Sequence, residues 1–197
     1  MMNAAPVFER VYAALKQQLR LGAMPPAARL DPAVLAESLA ASVTPVRDAL
    51  HRLAGERLVD TANDGFQVPV LSEPDLRDLY AWTYQLLLLA LRTTIRAHAR
   101  FLPSPLPDAH SAEIVEALFA AIGQAADNRE HALAIAGLND RLHAVRRVEL
   151  LVLPAIGEEL ADLLAADLRS LRSLLGRYHR RRIAAVPEIV RALYRSY

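Results

Sequence analysis

The stretch SVTPVRDALHRL, residues 42–53, decides how the first third of the chain is read. Ser42 or Thr44 is suited to cap a helix, and Pro45 fits its first turn because an N–H there has no helical partner. Val46, Leu50 and Leu53 then share one face, while Thr44, Arg47, Asp48, His51 and Arg52 lie around the others. The spacing predicts a helix with an apolar back and a front of exposed polar groups.

Upstream, Asp31 followed by Pro32 reads as another helix start. That helix reaches about Ala40 and is expected to bury Val34, Leu35 and Leu39, with a short break at AAS before the next one. Before it, PVFERVYAALKQQLRL (6–21) places Val7, Val11, Leu15 and Leu19 four apart on one stripe. Gly22 can end this helix in the left-handed conformation, and MPPAARL reads as a rigid connector. Downstream, LVDTANDGFQVPV (58–70) reads as a hairpin. Leu58 and Val59 begin a strand, NDG accepts positive φ, and Phe66 and Val68 alternate with Gln67. Helix, tight turn, helix and hairpin together predict a winged helix-turn-helix over residues 1–71.

LSEPD (71–75) is both linker and helix start, with Ser72 as cap and Pro74 in the first turn. The expectation for 72–197 is an all-α bundle: a helix from about 75 to 100, a loop at FLPSPLPDAH, then helices near 110–126, 129–152, 157–180 and 186–196, with breaks at Pro154, Gly157 and Pro187. The fold class is therefore mainly α, a small winged reader followed by a larger helical domain.

Composition narrows the function. Without cysteine there are no disulfides, thiolate zinc sites or cysteine nucleophiles. Neither a glycine-rich phosphate loop nor an H-E-x-x-H or G-x-S-x-G motif is present, so no enzyme is expected. The N-terminus lacks the pattern of a signal peptide, and LLLLAL (86–91) is too short to span a bilayer; the expected setting is cytoplasmic, without membrane. Net charge is only +1. Within the first 70 residues seven cations, Arg10, Lys16, Arg20, Arg29, Arg47, Arg52 and Arg57, face as many carboxylates, so any binding to nucleic acid must come from local placement of charge.

RLDPAVLAESLAASVTPVRDALHRLAGERLV, followed by the wing NDGFQV and then DLRDLY, resembles the GntR family of bacterial transcription regulators, in the FadR-like branch with an FCD effector domain. The resemblance runs nearly without gaps from Val11 to Tyr80. It implies a homodimer that sets two winged helices on a palindromic operator in double-stranded DNA, and a helical domain that binds a small, often carboxylate-bearing effector. Carried onto this chain, Thr44 and Arg47 fall on recognition-helix positions and Gly65 on the wing. Arg29, Ser42, Pro45, His51 and Gln67 complete the expected DNA face, although His51 reads equally well as a solvated residue. Arg47, one turn into the helix, can reach a phosphate or a guanine edge.

Three positions depart from the family pattern. Val43 and Asp64 stand where arginine is usual, and Ala33 where a basic residue is allowed. Each lost phosphate contact weakens binding and flattens its salt dependence. The expectation is an unusual operator or modest affinity; the alternative is a degenerate relative that senses a small molecule or binds a protein, with weak or no DNA binding.

In the helical domain NDRLH resembles the start of the family's metal site, Asp-x-x-(Phe or Leu)-His. His143 matches, but the aspartate position is Asn139, a poor ligand, and Asp140 points about 100° away. Val186 stands at the position of a later histidine, and the chain stops at Tyr197, before the helix that would bring another. No metal or other cofactor is expected. Tyr84, Arg92, Asn139, His143 and Arg146 are the candidate effector contacts, and surface or interhelical contacts are the plainer reading of each. His98, His110, His131 and His179 are expected to be solvated, as is the run RYHRRR at 177–182; Arg52 and Asp48 are expected to form a surface ion pair. Dimerisation is expected through an apolar face of the helical domain.

Overall fold

In a computed structural model, residues 4–62, 65–93 and 111–197 are described. They divide into two compact units with the boundary at Leu71 and Ser72.

The first unit is a three-helix cluster closed by a small sheet. Helix α1 (Ala4–Arg20) ends at Gly22, which adopts φ 66°. After it come β1 (Arg29–Leu30), α2 (Pro32–Ser38), α3 (Val43–Gly55), β2 (Asp60–Ala62) and β3 (Gly65–Gln67). Asp31 caps α2 by accepting from the Ala33 amide at 2.8 Å, the role its place before Pro32 predicts. The three strands are antiparallel in the order β1-β3-β2, with Phe66 opposite both Leu30 and Thr61.

Three details differ from the sequence reading. The connector contributes a strand, β1, because Leu30 is apolar and drops into the core beside Phe66. Leu58 and Val59 do not begin a strand: both are buried among the helices, and pairing starts at Asp60. Val34 is 63% exposed, and Ala36 takes the buried place on α2. The core is built from α1 and α3 (Val11, Leu15, Val46, Leu50, Leu53) and sealed by Phe66 from the sheet.

The second unit, Ser72–Ser196, is helical throughout its described residues. It comprises α4 (Glu73–Thr93), α5 (Ser111–Ala125), α6 (Arg129–Val152), α7 (Ile156–Ala165), α8 (Leu168–Ala184) and α9 (Val186–Arg195). Helix α4 packs on α5, α6, α8 and α9, and α6 also packs on α5 and α9. The expected single helix at 157–180 is two. Asp167, extended at φ −77° and ψ 170°, accepts from the Ser170 amide and starts a new helix after the break at Ala166. No helix among the described residues is long and apolar enough to cross a membrane.

Candidate functional site

The front of α3 is built from its back. Val46, Ala49, Leu50 and Leu53 are fully buried, which turns Val43, Thr44, Arg47, Asp48 and His51 to solvent. Val43, Arg47 and His51 recur every fourth residue and form one exposed stripe. Ser42 is the N-cap residue but its hydroxyl makes no capping bond, so its Oγ is left for another partner. Pro45 is half-buried in the first turn. The His51 ring meets Phe66 of β3 edge-on, 4.8 Å between centroids, which ties the exposed stripe to the sheet. Arg29 is exposed on β1 and stands opposite half-buried Gln67, while Gly65 opens β3. Asn63 and Asp64 lie outside the described residues.

The turn before α3 is held from α1. Arg10 donates to the carbonyls of Leu39 at 2.8 Å and Ala40 at 3.2 Å, and Ala40 sits in the left-handed region at φ 47°. At the other end of α3, Tyr12 donates to Glu56 at 2.6 Å, Lys16 pairs with Glu56 at 2.8 Å, and the Arg52 guanidinium lies 3.9 Å from the centre of the Tyr12 ring. Arg52 also approaches Glu9 at 3.4 Å and Glu56 at 3.6 Å; the expected Arg52–Asp48 pair is not the one formed. Although burial opposes it, hydrogen bonds from Lys16 and Tyr12 and the charges of Lys16 and Arg52 hold the Glu56 carboxyl below its usual range.

These contacts resolve the balance of charges seen in the sequence. Arg10 is spent on the carbonyls that follow α2, Lys16 and Arg52 on Glu56 at the end of α3, and Asp31 on the cap of α2. Arg29 and Arg47 are exposed and make no ion pair among the described residues. Pairing elsewhere thus leaves Arg29 and Arg47 as exposed cations, with the exposed carboxylate of Asp48 beside Arg47.

In the helical unit, α6 directs Asn139, His143, Arg146 and Glu149 inward, all of them buried. Asn139 donates to the Glu116 carbonyl at 3.1 Å and accepts from Arg146 at 2.9 Å. Glu116 of α5 meets His143 Nδ1 at 2.8 Å and Arg146 at 3.5 Å. Three of the expected effector residues are thus together, with Glu116 as a fourth member. An aspartate at 139 would set a carboxylate against the Glu116 carbonyl, so the asparagine suits this contact. Tyr84 lies apart from them, its ring 5.3 Å from that of His179. Arg92 is exposed in the last turn of α4 and is in no ion pair among the described residues.

The expectation of a solvated RYHRRR run holds at Arg177 and Arg180, which are exposed, and is overturned at three of the six positions. Tyr178, His179 and Arg182 are 1%, 2% and 0% exposed. Arg182 donates to Glu149 at 2.7 Å and Glu159 at 2.8 Å, its guanidinium 3.3 Å from the Tyr178 ring centre, and Tyr80 donates to the other oxygen of Glu149 at 2.6 Å. Spacing along α8 puts 178, 179 and 182 on one face, where they meet Tyr84 of α4, Phe119 of α5, Glu149 of α6 and Glu159 of α7, against the polar look of the run. Burial raises the Tyr178 phenol to about 12 and pushes His179 down to about 3, the latter reinforced by Arg182 and Arg146. His179 donates from Nδ1 to the Leu175 carbonyl at 2.7 Å, so the neutral ring offers Nε2 as an acceptor. That Nε2, the Tyr178 hydroxyl, Arg146 Nε and one Arg182 amino group are buried without hydrogen-bond partners among the described residues. His131 is half-buried rather than solvated, and His98 and His110 lie outside the described residues. No group of three His, Cys, Asp or Glu side chains able to hold a metal occurs among the described residues.

Two helices joined by a tight turn, braced by a first helix and closed by a short antiparallel sheet, make the N-terminal unit a winged helix-turn-helix; an all-helical unit follows it. Residues 8–65, within this unit, match the model of bacterial regulatory proteins, gntR family. The chain is similar to the HTH-type transcriptional regulator McbR of Escherichia coli (strain K12), 39% identical over 82 residues. That match spans 41% of this chain and 37% of the relative. Among solved structures, E. coli McbR/YncC is 26% identical with a TM-score of 0.64, covering 95% of this chain and 99% of that one. A GntR protein from Rhodococcus sp. RHA1 has a TM-score of 0.68 at 19% identity, covering 92% and 97%, a likeness of fold.

Proposed function

We propose that this chain is a DNA-binding transcription regulator, acting as a homodimer on a palindromic operator in the cytoplasm, with a helical domain that responds to a small molecule. The observation that carries the reading is the exposed α3 stripe. Its Arg47 is in no ion pair among the described residues, stands beside the wing through the His51–Phe66 contact, and has Arg29 on the adjoining sheet. A helix of this kind lies in the major groove with its N-terminal residues at base edges. Ser42, Thr44, Pro45, Arg47, His51, Gly65 and Gln67 are the proposed contacts, with Arg29 toward phosphate.

The effector is proposed to bind among Asn139, His143, Arg146, Tyr178 and His179, with Tyr84 at the His179 side. Support comes from the unsatisfied buried atoms of Arg146, Tyr178 and His179, since buried polar groups are costly unless a water or ligand completes them. Arg146 is already matched by Glu116, so an uncharged ligand suits this region better than a carboxylate. The reading includes neither metal nor catalysis: Asn139 spends its amide on Glu116 and Arg146, His143 Nδ1 meets Glu116, and the position of the family's later histidine is a buried valine, Val186. Dimerisation is assigned to α4, where Trp82 and Leu89 are 47% and 41% exposed, two turns apart on one face.

The test is fluorescence anisotropy on duplex from the chain's own upstream region, across a salt series. Affinity is expected to fall steeply with salt, and Arg47→Ala to weaken binding and reduce the salt slope by about one. Binding equal to that on random duplex, or unaffected by Arg47→Ala, would favour the second reading, a sensor or interaction module that has lost DNA. Val43 and the exposed Asp48 on the same face are what speak for it.

A further inference from the structure

Val43 is 40% exposed, at the first position of α3 and one turn before Arg47. It is not among the residues of the core, although Val46 and Leu50 lie within about 60° and about 20° of it around the helix; Val43 stands at the margin of the apolar face. The 40% of its surface that stays in water gains no burial, and valine is only a modest helix former. Ser42 on one side and Thr44 on the other are polar and exposed, so Val43 does not extend an apolar surface along the chain.

In the major groove the base edges offer hydrogen-bonding groups with one apolar exception, the C5-methyl of thymine. We propose that Val43 reads a thymine methyl, which makes this domain select an A·T pair where an arginine at the same position would select guanine. The inference rests on the DNA-reading function proposed above and adds one specificity-determining contact to it. Two features of the stripe fit. Arg47 and His51 follow Val43 on the same face at successive turns, so the three side chains meet a continuous run of bases, with the valine at the leading end. Val43 itself carries no charge, so its own contact depends on shape and methyl burial and is insensitive to salt.

The experiment uses the full chain and a pool of random duplexes, from which bound sequences are selected through several rounds. An enriched palindrome with thymine at one fixed position in each half-site is expected. Replacing that thymine by deoxyuridine removes only the methyl and is expected to weaken binding about fourfold per half-site, the factor for burying one methyl-sized group. Val43→Ala is expected to lose this discrimination while leaving the salt slope unchanged. Val43→Arg is expected to move the preference from thymine to guanine and steepen the slope by about one. An enriched site at which deoxyuridine costs nothing, or costs Val43→Ala as much as the parent, overturns the methyl contact while leaving the DNA reader in place. No enrichment of any sequence overturns both.

Discussion

Arg182→Met is the substitution from which the interior of the helical unit has most to lose. Arg182 is fully buried and holds Glu149, itself 3% exposed, at 2.7 Å and Glu159 at 2.8 Å. Methionine fills much of the same volume and keeps a sulfur–aromatic contact with Tyr178, so the packing loss is small. The electrostatic loss is not. Glu149 would retain the Tyr80 hydroxyl at 2.6 Å as its one remaining donor among those described here, whereas Glu159 keeps Arg181 at 3.4 Å and is 13% exposed. Removing one partner of a buried pair costs about 3–5 kcal/mol, because the remaining charge is stranded. Adding Glu149→Gln removes that charge, and the double variant is expected to recover at least about half of the loss. Urea unfolding followed by fluorescence reads this domain directly, since the chain's single tryptophan, Trp82, lies in α4. A loss below about 1 kcal/mol in the single variant, typical of an exposed pair, would refute the reasoning. So would a double variant no more stable than the single.

Acid should weaken the same unit through His179. Its folded pKa, about 3, lies below the ordinary value of 6.5, so between these the unfolded chain holds the extra proton. Stability is then present above pH 6.5 and falls by about 1.4 kcal/mol per pH unit as pH drops toward 3; Trp82 fluorescence in urea at pH 7 and pH 5 should show a smaller difference for His179→Phe than for the parent. Ala40→Gly is expected to raise stability of the winged unit by about 0.5–1 kcal/mol, because alanine at φ 47° is strained and glycine is not; hydrogen exchange in α2 and α3 would register it, and a lower stability would contradict the turn geometry. Gly123→Ala and Gly176→Ala should diverge despite equal gains in helix propensity. The first would press a Cβ to 3.0 Å from the Ala132 backbone and 2.9 Å from Ile135, costing about 1–3 kcal/mol, while the second meets the movable ends of Tyr84 and Arg180; equal thermal unfolding midpoints would count against the α5–α6 packing.

The winged unit was legible because its signals are local. Asp31 before Pro32, Gly22 after Leu19, and the apolar spacing of Val46, Leu50 and Leu53 each act within one or two turns. The strand at Arg29–Leu30 was not legible, since two residues have no period and only pairing with Phe66 and Gln67 makes them a strand. The break at Ala166 was missed for a related reason. Asp167 is an effective cap, but in a run of good helix formers it looks like any exposed acid until the chain turns there.

The interior of the helical unit shows where sequence reasoning stops. Asn139, His143 and Arg146 could be singled out from their spacing, yet nothing local tells that Glu116, 23 residues before Asn139, joins them. RYHRRR reads as a wet helix end by composition, and His179 and Arg182 are among the most buried polar residues of the described chain. The sequence alone determined most of the helices, the Asp31 cap of α2 and the exposed face of α3, because these follow from spacing and from bonds between near neighbours. Tertiary structure alone decided which charges are cancelled: Glu56 takes Lys16, Glu116 takes Arg146, and Glu149 and Glu159 take Arg182. Electrostatic energy depends on distance and dielectric, and neither is set until the helices have packed.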